Sequence, residues 1–261
     1  MSKDYSYTKY VNEGYVNDLA EKIQQIYVDF DKESFVKQVL AKLQKLTFTN
    51  RMRHISDILR KTLPSRYPKA LKILLQTLGP ELTKETGTFN DGFIYWPISC
   101  FIEDYGLGHF EESMQGMYEL TKRFTAEYAI RPFLIQDLRK TIENLSQWLE
   151  DPNPDVRRFI CEGTRPTIPW GKKIPQLIDN PSPVIPLLES LKEDPSKYVQ
   201  KSVANHLNAI SKSHPDLVIQ ITKSWAKIKN KDTHWIIKQA LRTLVKSEQT
   251  NAKDVISMIS P

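Results

Sequence analysis

Three aspartates in the second half of the chain, Asp151, Asp194 and Asp232, open similar segments: DPNPDVRRFICEG, DPSKYVQKSVANHL and DTHWIIKQALRTL. They stand 43 and 38 residues apart, close to the period of two-helix HEAT-type units. A unit of that size cannot bury its apolar face alone, so such a chain must stack its units on one another. Five residues after each Asp comes a β-branched residue (Val156, Val199, Ile237), and nine after it another apolar one (Ile160, Val203, Leu241). Each unit is therefore expected to begin with an N-capping Asp followed by the inner helix of a pair. Stacked pairs curve into a solenoid with a concave inner surface.

The rest of the chain follows the same helical spacing. In VNDLAEKIQQIYVDF, Leu19, Ile23 and Ile26 share a face, with Asn17 as the expected cap; in KESFVKQVLAKLQKL, Phe35, Val39 and Leu43 recur every four residues. NRMRHISDILRKTL and PKALKILLQTLG continue the pattern, the latter expected to end at Gly79. Prolines 64, 68, 80, 152, 154, 181, 195 and 215 fall at the joins. Only 9 glycines occur, and alternating runs with hairpin dipeptides are absent, so strands have no signal. The expected fold is all-α: a HEAT-like helical-repeat solenoid with a concave face. It is read as one domain over 1–261, with N-terminal helices in 1–90 and the repeats carrying the active site in 91–261.

Charge narrows the partners. The net charge is +6; residues 1–150 carry 20 Lys+Arg against 20 Asp+Glu, and residues 151–261 carry 17 against 11. The whole surplus thus lies in the repeats, where a basic face suits a polyanion. Arg158, Lys201 and Lys238 follow the repeat aspartates, with Arg242 one turn on, and such a stripe can meet successive phosphates. No apolar run is long enough for a membrane span. The start MSKDYSYTKY has no apolar leader, and Cys100 and Cys161 make no disulfide framework; a cytoplasmic, nucleoid-associated protein is expected. The five histidines form no i,i+3 or i,i+4 pair, neither cysteine lies in a CxxC, and Walker, GxGxxG and GxSxG motifs are missing. No metal and no cofactor are expected, which leaves cofactor-free chemistry or a binding scaffold.

The densest unusual composition runs from Phe93 to Trp170. It begins FIYWPISCFIEDYG, passes through MYELTKRFTAEYAIRPFL and ends VRRFICEGTRPTIPWGKKIPQL. The stretch EGTRPTIPWGKK holds two prolines and two glycines, so it must leave the inner helix of the Asp151 unit as a loop. That loop brings Arg165, Trp170, Lys172 and Lys173 near Glu162 at the helix end. A carboxylate, a large ring and cations together suit a positively charged base on DNA. Trp96 is read as core, and Tyr95, Tyr105 and Tyr128 as buried or half-buried.

These segments, with SVANHLNAISKSHPDLV at 202–218, resemble the AlkC branch of the AlkC/AlkD-type DNA alkylation repair glycosylases over roughly 90–230. The resemblance implies a HEAT-like solenoid that cradles duplex DNA and hydrolyses the N-glycosidic bond of N3-alkylated bases, chiefly 3-methyladenine and 3-methylcytosine. The essential acid of the family's EG-x-RP-x-x-PW string falls on Glu162 and its site Trp on Trp170. The acid of the TAE-[YF]-AIRPF string falls on Glu127, and the arginine of VRR on Arg158. Some relatives append an immunoglobulin-like β domain, and none is expected within this chain.

Chemistry agrees with that placement. Alkylation at N3 makes the base a cationic, good leaving group, so a strong general acid is unnecessary. The reaction needs a carboxylate to stabilise an oxocarbenium-like sugar and position water. Glu162 is assigned that role, with Glu127 as helper and Trp170 against the cationic base or sugar edge. Arg158, Arg165, Lys172 and Lys173 are assigned to flanking phosphates, with Lys201, Lys238 and Arg242 along the stripe. Three plainer readings stand beside these: an ion pair of Glu162 with Arg165, one of Glu127 with Arg131, and Trp170 packing its loop. A non-enzymatic HEAT scaffold and a glycosylase for bulky or 7-alkylated lesions are the rival functions.

Overall fold

A computed structural model of the chain describes residues 7–83, 85 and 92–259. Two expectations, the leaderless start at residues 1–6 and the passage into repeats between residues 90 and 91, lie outside the described residues. Among the described residues every regular element is a helix and no strand occurs. No helix among them is long and apolar enough to cross a membrane. The helices group into two compact units, Met1–Ala129 and Ile130–Pro261.

The first unit holds α1 (Glu13–Ile26), α2 (Lys32–Leu43), α3 (Phe48–Thr62), α4 (Tyr67–Gln76), α5 (Trp96–Tyr105) and α6 (Phe110–Thr121). Helical spacing decides which faces meet: Phe35, Val39 and Leu43 of α2 are fully buried, as are Val16, Ala20 and Ile23 of α1. Each large side chain so buried contributes about 1.5–3 kcal/mol. The Arg51 guanidinium is satisfied by the carbonyls of Thr8, Val11 and Leu46. Two expected helix ends move. Asn12 caps α1 by accepting the Tyr15 N–H at 3.1 Å, whereas Asn17 lies inside the helix and donates to the Glu13 carbonyl. Helix α4 stops at Gln76, and Gly79 donates its N–H to the Tyr95 hydroxyl.

The second unit continues with α7 (Arg131–Gln136), α8 (Leu138–Ser146), α9 (Pro154–Gly163), α10 (Pro175–Asp179), α11 (Ile185–Leu191), α12 (Lys197–Ile210), α13 (Pro215–Trp225), α14 (Lys231–Lys246) and α15 (Thr250–Met258). Helix α12 packs against both α9 and α14. It therefore buries polar side chains as well as Val199, Val203 and Leu207, and each polar group needs a partner. Gln200 donates to the Asp194 carbonyl at 2.7 Å, and Asn208 to the Ala240 carbonyl at 2.9 Å.

The repeat register differs from the one expected. The N-caps of α9, α12 and α14 are Asn153, Ser196 and Asn230, not the aspartates. Asp151 and Asp194 sit two residues ahead of their caps and accept the cap's own N–H, each at 2.8 Å. Asp232 sits two residues behind its cap and donates its N–H to Asn230 Oδ1 at 2.8 Å. The true counterpart of Val156 and Val199 is Thr233, and Ile237 matches Ile160 and Val203. The slip is four residues, close to one helical turn, so the apolar stripe stays in phase and periodicity cannot detect it. The aspartates instead tie successive units: Arg157 pairs with buried Asp194 at 2.6 Å, and Lys197 with Asp232 at 2.5 Å.

Candidate active site

Residues 164–174 leave α9 as an irregular loop, as their prolines and glycines require. Arg131, at the start of α7, shapes it. Its fully buried guanidinium donates to the carbonyls of Gly163 at 3.2 Å, Pro166 at 3.0 Å, and Lys172. The Gly163 bond answers one of the last carbonyls of α9, which a helix end otherwise leaves orphaned. The Ile174 N–H closes the loop onto the Pro166 carbonyl at 3.0 Å. Glycine is needed at 171, because a Cβ there would lie 2.5 Å from Ile168 Cγ1 and 3.2 Å from Arg131 Cδ. At the loop's turn Trp170 adopts φ 62°, a left-handed conformation costing a non-glycine residue about 1–3 kcal/mol, and the residue is 76% exposed.

Glu162, the last residue but one of α9, is 5% exposed. Its Oε2 accepts from Arg165 Nη1 at 2.6 Å, and its Oε1 accepts from the Ser202 hydroxyl of α12 at 2.8 Å. Arg158 lies one turn earlier on α9, its guanidinium 5.0 Å from the Tyr198 ring centroid. Burial by itself would push the Glu162 carboxyl up. The charges of Arg158 and Arg165 and the bonds from Arg165 and Ser202 outweigh it, holding the group below its ordinary value and ionised. The plainer reading of a Glu162–Arg165 ion pair is thus present in the geometry, but the pair is buried.

A third guanidinium stands close by. Arg242 of α14 donates to Asn205 Oδ1 at 3.0 Å and to the Gln239 carbonyl. Its charged form is disfavoured first by burial and then by Arg165. Arg158 and Arg165 face the Glu162 carboxylate and Arg242 acts on Arg165, so the cluster carries surplus positive charge. Lys172, Lys173, Lys201 and Lys238 are exposed. His206 of α12, which Arg165 and the Cys161 carbonyl act on, is fully buried. Burial, then Arg165, lowers its imidazole to about 3, so it is neutral; the Cys161 carbonyl favours a ring proton, yet neither nitrogen completes a hydrogen bond. Burial and the neighbouring Glu162 push the Cys161 thiol up.

Glu127 belongs to the first unit. It is buried and accepts the Thr125 hydroxyl at 2.8 Å. Beside it Tyr128 stacks on Trp96 at 5.2 Å, and Trp96 is core as expected. Among the described residues no group of three or more His, Cys, Asp or Glu is placed to hold a metal ion. Sequence reasoning missed Ser202, Asn205 and the Arg131 clamp. The first two carry no local signal, since their partners lie 40 and 37 residues away. Arg131 had one: an arginine inside the apolar run AIRPFLI is buried only if its donors are satisfied.

A helical-repeat protein with a buried, ionised carboxylate set among arginines can draw a polyanion to its flanks and stabilise positive charge at its oxygens. The chain belongs to the DNA alkylation repair enzyme family, whose model matches residues 124–244, a span that includes every residue assigned above. It is similar to the alkylpurine DNA glycosylase AlkC of Pseudomonas fluorescens, solved bound to DNA containing an abasic site analog. The TM-score is 0.86 at 32% identity, over 97% of this chain and 68% of that one. It is also 42% identical over 242 residues to the uncharacterized protein YhaZ of Bacillus subtilis (strain 168), covering 92% of this chain. The chain spans 65% of that relative's length.

Proposed function

We propose that this protein is a DNA glycosylase that hydrolyses the N-glycosidic bond of N3-alkylated bases in duplex DNA, 3-methyladenine and 3-methylcytosine, as the first step of base excision repair. The observation that carries this reading is Glu162, a buried carboxylate kept ionised by two arginines and a serine hydroxyl at the end of a repeat helix. An N3-alkylated base leaves without a proton from the enzyme, so positive charge builds on the sugar. A preorganised carboxylate there acts when charge develops and costs no reorganisation. The same carboxylate orients the attacking water, and the route is monofunctional hydrolysis without a cofactor. The name of the Pseudomonas relative supports alkylated purines; 3-methylcytosine follows from the same N3 charge.

Trp170 meets the cationic base or the sugar edge, where cation–π attraction of about 0.5–2 kcal/mol separates charged from neutral bases. Arg158, Arg165, Lys172, Lys173, Lys201, Lys238 and Arg242 contact phosphates along a concave face. Glu127 is held as the second candidate carboxylate. The test is incubation of purified protein with methylated duplex DNA and chromatography of the released bases. Free 3-methyladenine is the expected product. No released base at stoichiometric protein would leave a DNA-binding scaffold in its place.

A further inference from the structure

We infer that Ser202 is the positioning residue of Glu162: it fixes the plane in which the carboxylate meets the sugar, a role that rests on the glycosylase reading above. A buried hydroxyl inside a helix commonly returns to the carbonyl four residues back. Thr141 and Thr222 do so here, to Asp137 and Val218. Ser202, 2% exposed in the middle of α12, instead donates across to α9, to Glu162 Oε1 at 2.8 Å. An ionised carboxylate only accepts, so the direction of this bond is fixed.

The two ties on Glu162 differ in kind. Arg165 holds Oε2 from an irregular loop, and on the glycosylase reading its guanidinium is also drawn to a DNA phosphate. With that tie alone, or with it drawn away, the side chain turns about its own torsions. Ser202 holds the other oxygen from a helix packed against both α9 and α14, so its hydroxyl stays where it is. The groups facing the carboxylate are Arg158 from α9, Arg165 from the loop and Ser202 from α12, with the Cys161 thiol beside it. Farther out stand neutral His206 on α12, Arg131 on α7, Arg242 on α14 and Asp194, which acts on Cys161. Among the hydrogen-bond donors to the carboxylate, Ser202 is the neutral one. Its removal changes direction and proton affinity at Glu162 while leaving the charge presented to DNA as it was.

The test compares wild type, Ser202→Ala and Ser202→Thr, with thermal melting as a check on folding. Single-turnover release of 3-methyladenine from methylated duplex, measured over a range of protein concentration, separates the rate constant from half-saturation. A hydrogen bond to a charged group predicts that Ser202→Ala slows the rate constant about ten- to a hundredfold with half-saturation unchanged. Ser202→Thr, which keeps the hydroxyl, restores most of the rate. In parallel, carbon-13 NMR of the glutamate carboxyls follows Glu162 in the free protein. Its titration moves to higher pH in Ser202→Ala and returns toward wild type in Ser202→Thr. An active wild type matched in rate by a folded Ser202→Ala overturns the inference, as does a Glu162 titration that does not move. A wild type that releases no base overturns the glycosylase reading itself, a different result from either.

Discussion

The carbonyl oxygen of Pro166 lies 3.0 Å from Nη2 of Arg131, a fully buried guanidinium that reaches forward along the chain to hold the loop after α9 at three points. Unmade, each such carbonyl bond exposes a cost of about 1–3 kcal/mol. Arg131→Met is therefore expected to lower stability in urea by about 3 kcal/mol or more. Chymotrypsin should then cut the folded variant after Trp170 faster than wild type. Wild-type stability and cleavage together would mean that the loop holds itself.

Glu162→Gln keeps the size of the side chain and removes its charge. If the carboxylate stabilises the oxocarbenium, single-turnover release of 3-methyladenine falls about a hundred- to thousandfold, equivalent to about 2.7–4 kcal/mol. Duplex affinity holds or tightens, since the charge acts chiefly in the transition state. Equal rates would remove Glu162 from the chemistry and bring Glu127 forward.

The stripe assignment makes a prediction in salt. Binding of undamaged duplex should weaken with a log–log slope of about −0.9 per phosphate contacted. Alanine at Arg158, Lys201, Lys238 or Arg242 should each shrink the slope by about one unit. Lys201 and Lys238 are exposed and should leave stability untouched, whereas Arg158 and Arg242 lose contacts to Tyr198 and Asn205 as well. Four unchanged slopes would put the DNA on another surface.

Trp170 separates strain from function. Its φ of 62° suits glycine, so Trp170→Gly should cost little or no stability in spite of losing a large ring. The same change should lower the preference for cationic 3-methyladenine over a neutral lesion such as hypoxanthine. Paired release assays on the two substrates check it, and a marked loss of stability would show that the ring packs its loop.

His206 predicts an acid-sensitive fold. Its imidazole is lowered from 6.5 to about 3 by burial and Arg165, so below pH 6.5 the unfolded chain binds a proton that the native state refuses. Stability therefore falls as pH drops from 6.5 toward 3, by about 2 kcal/mol between pH 7 and 5 from this group alone. Glu162 acts lower: its depressed carboxyl stabilises the fold above its ordinary value of 4.5, and that contribution is lost as pH falls through the folded value. Urea denaturation of wild type and His206→Phe at pH 7 and 5 measures the difference. An equal loss in both would assign the sensitivity elsewhere.

By itself the sequence determined the helices, the existence of repeats and the loop after α9, and it offered the pairing of Glu162 with Arg165 as the plainer of two readings. All of these are written in spacings of a turn or less: apolar residues every three or four positions, prolines and glycines at 163–171, a carboxylate three residues before a guanidinium. The repeat register needed the structure. A slip of four residues keeps Ile237 on the face of Thr233, and only the hydrogen bonds at Asn153, Ser196 and Asn230 show where each helix begins. The Ser202 bond to Glu162, the Asn205 bond to Arg242 and the reach of Arg131 into the 163–172 loop also had to wait. Each joins residues 32 to 41 positions apart. Helical spacing says which face of α12 is buried, but which side chains meet across α9, α12 and α14 depends on how far each helix slides along its neighbour, and packing settles that.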